Sequence, residues 1–80
     1  MKYIRFMDNS VLVFADNLNH ADVAGGKLVR SAGFCRIETS RNRFDDIVVN
    51  CGCYGKSDSL GVTSLPDDAD YVREAFLGMN

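Results

Sequence analysis

No stretch of this 80-residue chain approaches the roughly 18 consecutive apolar residues from which a membrane-spanning helix is built. At the N-terminus Lys2 and Arg5 sit inside a short apolar run with no long hydrophobic core behind them, so neither a secretion signal nor a membrane span is expected. Internal repeats and low-complexity linkers are also lacking, which leaves a single domain over residues 1–80 with a thin core. The cysteines do not form an even set. Three of them, without a secretion signal, fit free thiols in a reducing cytoplasm better than a disulfide framework. A strong charge of one sign is missing as well: the net charge is -2, and a pI near 5.1 argues against a general phosphate-binding module, so nucleic acid is not the expected partner. A complete Walker loop, a dinucleotide fingerprint and a nucleophile elbow are all absent, so no reaction is written in the sequence and no enzyme is expected.

What is present is strand and turn chemistry. Asp46 to Gly61 is the most distinctive stretch: Ile47, Val49, Cys51 and Cys53 recur at period two with Val48, Asn50, Gly52 and Tyr54 on the other side, and Gly/Ser turn residues follow. This reads as the middle strand of a small sheet. Lys2 to Met7 and Val11 to Phe14 flank the polar turn Asp8-Asn9-Ser10, a hairpin signal, and the second run is apolar on both faces. One face should meet the core and the other the C-terminal helix or a second subunit.

Asn17 or Asn19 caps a short helical turn over Ala21 to Ala24 that stops at Gly25-Gly26. Lys27 to Arg30 reads as a further extended piece and Phe34 to Glu38 as a strand, with Thr39 to Arg43 as an exposed loop. Ser64, Pro66 and Asp67 form a capping box ahead of an amphipathic helix carrying Leu65, Ala69, Val72 and Phe76, which Gly78 ends. The fold expected is α+β: a small antiparallel sheet of four or five strands, in two hairpins, packed by one C-terminal amphipathic helix. The fifth strand falls near Leu28 or Val62.

Cys35, Cys51, Cys53 and His20 are candidate metal ligands, but Cys51 and Cys53 leave a strand on one face with a single residue between them, unlike zinc knuckles. Small buried hydrophobes in a sheet are the better reading, and no metal or cofactor is expected. His20 beside Asp22, with Ser57 or Ser59 as nucleophile, has no pattern fixing its geometry, and a polar histidine at a helix entry accounts for it. Gly52, Gly55 and Gly61 read as turn glycines.

Charge is segregated, with Lys27, Arg30, Arg36, Arg41 and Arg43 in the middle and Asp58, Asp67, Asp68, Asp70 and Glu74 toward the end. Candidate interface residues on this basis are Arg36, Arg41, Arg43, Tyr54, Lys56, Asp67 and Asp70.

Lys2-Tyr3-Ile4 with Val11 to Phe14, His20 with Val23-Ala24, Ser31-Ala32-Gly33-Phe34, the block from Cys53-Tyr54-Gly55 to Ser59-Leu60-Gly61, and Ser64 with Pro66 and Asp68-Ala69 together form a pattern. It resembles short proteins of unknown function from bacteriophages and prophages, over nearly the whole chain, although Glu38 to Asn50 is longer here. The resemblance implies a bacterial host cytoplasm and a non-enzymatic accessory role by binding a host protein, including inhibition of a defence component. A homodimer fits the two-faced apolar strand. The alternatives are a small structural or assembly component of a phage particle and, less favoured, a nucleic-acid accessory protein using Arg30 to Arg43.

Overall fold

In the computed structural model, which describes residues 1–78, the chain is α+β. β1 (Lys2–Phe6), β2 (Val11–Phe14), β3 (Val29–Arg41) and β4 (Ile47–Tyr54) form one antiparallel sheet in the order β2-β1-β3-β4. β5 (Lys56–Ser57) and β6 (Val62–Thr63) form a separate two-stranded ribbon, and the helices are α1 (His20–Ala24) and α2 (Asp68–Gly78).

The two hairpins use the same turn. Phe6 N–H donates to the Ser10 carbonyl at 2.9 Å and Asn9 N–H to Phe6, while Asn42 N–H donates to Asp46 at 3.0 Å and Asp45 N–H to Asn42. In each loop the third residue is left-handed, Asn9 at φ 69° and Asp45 at φ 62°, the geometry that returns a three-residue loop into twisted strands. Asn and Asp tolerate it better than other side-chain-bearing residues.

Alternation along β1 and β3 builds a core on each face of the sheet. Tyr3 and Cys35 point to α2, where Val72 is fully buried among Val11, Val13, Ile37, Cys51 and Cys53. Ile4, Phe6 and Ala32 point the other way, to Ala24 and Val23 of α1 and to Leu60 and Val62 of the ribbon. The apolar strand β2 therefore has a neighbour on both sides: Val11 and Val13 join the α2 core, and Phe14 joins the other. Asn19 caps α1 through its side chain to Ala21 N–H, and Gly25 ends the helix at φ 60°.

Four sequence expectations are corrected. Period two marks a strand with two different faces but says nothing about its edges, and β4 is at the border of the sheet; the middle belongs to β1 and β3. β3 runs for 13 residues, absorbing Val29 and Arg30 and the expected loop residues Thr39 to Arg41, because Ile47 to Val49 pair with them in unbroken register. Ser64 does not cap α2: its N–H is held by the Gly55 carbonyl at 3.0 Å, and the helix begins at Asp68, leaving Leu65, Pro66 and Asp67 in the preceding turn. The extra strand at Val62 exists, but its partner is β5 rather than the main sheet.

Candidate functional site: a protruding arm and a buried ion pair

The molecule measures 43 Å by 22 Å by 22 Å, and the length comes from the far halves of β3 and β4, which run on past the body as a two-stranded arm. Across the arm Thr39 pairs with Val49 and Arg41 with Ile47, and these side chains share the α2 side of the sheet. With Phe76 and Leu77 from the end of α2 they line an open groove of about 520 Å³. Ile47 is 63% and Phe44, at the tip, 72% exposed. A polar strand such as Thr39-Ser40-Arg41 is stable here because all three residues are exposed and Ser40 pairs with Val48 of β4.

At the tip, Arg41 donates to the Asp45 carbonyl at 3.1 Å and to its carboxylate at 3.2 Å, and the Arg43 guanidinium lies 5.1 Å from the Phe44 ring centre. The Asn42 side chain accepts from Phe44 N–H and Asp46 N–H, so the loop is closed by its own side chain.

The other expected interface residues lie elsewhere. Arg36 is exposed on the opposite face of β3, across from Gly52. Tyr54 stacks on Phe34 with ring centres 5.9 Å apart on that face. Lys56, in β5, pairs loosely with Asp58 at 3.6 Å, both well exposed. Asp67 and Asp70 flank the start of α2 and share a small acidic hollow with Tyr71 and Glu74. Arg41 and Arg43 thus come together, as do Asp67 and Asp70, but the seven residues do not form one surface.

A cluster that sequence reasoning missed joins α2 to the sheet. The fully buried Asp68 carboxylate accepts from Tyr3 O–H, from Ser31 O–H at 2.7 Å, from an Arg5 Nη1 at 3.0 Å and from Leu65 N–H at 2.8 Å. Arg5, itself buried, also reaches Asp67 at 2.9 Å and Asn9 through two nitrogens, and it lies 3.9 Å from the Tyr71 ring centre. Burial pushes the Asp68 carboxyl up, but the four donors outweigh it and hold the group below its ordinary value. Tyr3 is driven well above the usual phenol range by burial and then by its bond to Asp68. Arg5 is raised chiefly by the Asp67 bond. Among the described residues no buried side-chain polar atom lacks a partner, so this network spends its bonding capacity on itself. The arrangement fastens a helix; it does not present a group to a substrate.

His20 is buried, not a polar entry residue. Its Nε2–H donates to the Gly33 carbonyl at 2.9 Å, between the edges of Phe14 and Phe34. Ser57 is buried beside Ser59, whose hydroxyl accepts from Ala21 N–H at 3.2 Å. Gly55-Lys56-Ser57 enters a strand instead of the helix a phosphate loop needs, and Asn50 stands where that loop has its first glycine. The three cysteines are free thiols on the α2 side of the sheet. Burial pushes Cys35 up to about 11 and Cys53 up to about 12, which disfavours the thiolate that metal binding or redox exchange requires. Comparison with protein-family models, curated proteins and solved structures gave no match.

Proposed function

We propose that this protein is a non-enzymatic accessory protein of phage or prophage type that binds a host protein in the bacterial cytoplasm through its β3–β4 arm. The observation that carries this reading is the arm itself, which presents exposed Phe44 and Ile47 beside Arg41 and Arg43 and opens into an apolar groove. Aromatic and arginine side chains dominate protein interfaces, and solvent-exposed apolar clusters on a small domain mark places where another surface sits. The buried polar groups Arg5, Ser31 and Asp68 support a binding role over a catalytic one, since they are consumed in holding α2. Inhibition of a host defence component is the form of this function that the phage resemblance suggests. The basic side chains are scattered, with Arg30 held at the Met7 carbonyl, Arg36 on the opposite face and Arg41 and Arg43 at the tip, which disfavours a nucleic-acid track.

The test is affinity capture from bacterial lysate with tagged wild type and an Arg41→Glu/Arg43→Glu variant. One stoichiometric protein should be held by the wild type and lost by the variant, with the melting temperature unchanged. Equal capture by both would remove the arm tip from the interface. A second reading, a structural component of a phage particle, is favoured by the free edges of β2 and β4. Mass that grows with concentration past the dimer would support it.

A further inference from the structure

The hydrogen bonds of the sheet determine which backbone groups of β4 remain unused. Cys35 N–H donates to the Met1 carbonyl at 2.8 Å, and the N-terminal ammonium donates to the Cys35 carbonyl, so the main-chain groups of Cys35 face β1. Cys35 and Cys53 are consequently a non-hydrogen-bonded pair, and in an antiparallel ladder such pairs alternate with bonded ones. Val48, Asn50, Gly52 and Tyr54 therefore bond to β3, while the N–H and C=O groups of Ile47, Val49, Cys51 and Cys53 face the open edge of the sheet.

Arg73 and Leu77 of α2 lie beside that edge, in a hollow shared with Ile47 to Asn50, but the strand itself carries none of the features that normally protect one. Ile47 to Tyr54 contains no charged residue and no proline, and its eight-residue register with β3 is unbroken by a bulge. The other edge, β2, is half as long, at four residues.

We propose that a second copy of this chain adds to β4, antiparallel about a two-fold axis at Asn50, to give one continuous sheet of eight strands. With the axis there, Ile47 meets Cys53 of the second copy and Val49 meets its Cys51. All four outward-facing residues of each strand then find bonded partners, four pairs with two hydrogen bonds each. An axis at Val49 or at Cys51 leaves only three such pairs. The same pairing keeps Ile47, Val49, Cys51 and Cys53 of both copies on the α2 side, apolar against apolar, and sets Val48 beside Gly52 and Asn50 beside Asn50 on the other side without any charge opposed to its like. At the two ends, Asp45 and Asp46 of one copy reach the Lys56 end of the other, opposite in sign. Ile47, largely exposed in the single chain, gains a neighbour next to the other copy's α2 core. The contact is isologous, so it closes at two copies. It takes Ile47 out of the surface open to a host protein but leaves the tip residues Arg41, Arg43 and Phe44 to that role, on which it does not depend.

Light scattering coupled to gel filtration should give twice the 8.8 kDa chain mass for the wild type at micromolar concentration. Asn50→Lys places two like charges face to face on the axis, while within one chain it lies across from Glu38, so the fold is kept. Dimer affinity should fall on the order of tenfold or more, with no fall in the melting temperature of the monomer. Asn50→Cys places two thiols on the axis in a non-hydrogen-bonded pair, about 4.5 Å apart at Cα and within disulfide range, so mild oxidation should link the chains. Val48→Cys, opposite Gly52, should not link. A wild type that stays monomeric, a dimer indifferent to Asn50→Lys, equal crosslinking by both cysteine variants, or mass beyond the dimer would each overturn the proposal. Failure to capture a host protein would leave it standing.

Discussion

Asp68 is the residue on which most of the chain converges, since it takes donors from β1, from β3 and from the turn before its own helix. Replacing it by alanine leaves Arg5 buried without its inner partner, and the loss of one member of a buried pair costs about 3 to 5 kcal/mol. For a domain of this size that corresponds to a fall in melting temperature of roughly 4 to 8 °C per kcal/mol. A shift under about 1 kcal/mol for Asp68→Ala in urea unfolding would show that the network is not what fastens α2. Asp67 and Asp68 look alike in the sequence, and nothing local separates them. One is half-exposed and the other fully buried because the partners of Asp68 lie 37, 63 and 65 positions away.

Among the elements, β3 and the end of β4 approach closely at Gly33. A Cβ on Gly33 would come 2.6 Å from the Tyr54 carbonyl oxygen and 3.4 Å from the backbone of Gly55, atoms that cannot swing aside as a side chain would. Gly33→Ala should accordingly cost about 1 to 3 kcal/mol, with the strain forcing β3 away from the bend that leads to β5. Thermal unfolding would decide it, and a variant as stable as wild type would mean that this bend is loose. The four strands of the main sheet, though not the length of β3 nor the strand β5, and both helices are legible from period and caps: Asn19 before α1, Gly25 after it, and Ala69, Val72 and Phe76 along α2. The start of α2 is not, because Ser64-Leu65-Pro66-Asp67 satisfies a capping box on paper while tertiary bonds at Asp68 draw the first turn elsewhere.

For the whole molecule, the titrating groups define a window of stability. Asp68 has a folded value below its unfolded one, so its contribution is present above the ordinary carboxylate range, about pH 4, and is lost as pH falls through the folded value. Cys35, Cys53 and Tyr3 have folded values above their unfolded ones, so their contribution is present below about 9 for the thiols and about 10 for the phenol, and is lost as pH rises from there toward the folded values. Denaturation midpoints should be flat between roughly pH 5 and 8 and fall on both sides. Stability that rises between pH 9 and 10 would contradict the burial of these groups under α2.

The sequence by itself determined the α+β class, the two hairpins, the terminal amphipathic helix and the two-faced character of Ile47 to Tyr54, because each depends on turn residues and periodicities that act within a few positions. It also supplied the arm-tip arginines, which any exposed loop would display. The tertiary structure alone decided that β4 is an edge, that its free hydrogen-bonding groups belong to Ile47, Val49, Cys51 and Cys53, and that Arg5 and Asp68 are interior. Strand order and burial are set by which distant segments pack together, and a local pattern carries no record of that choice.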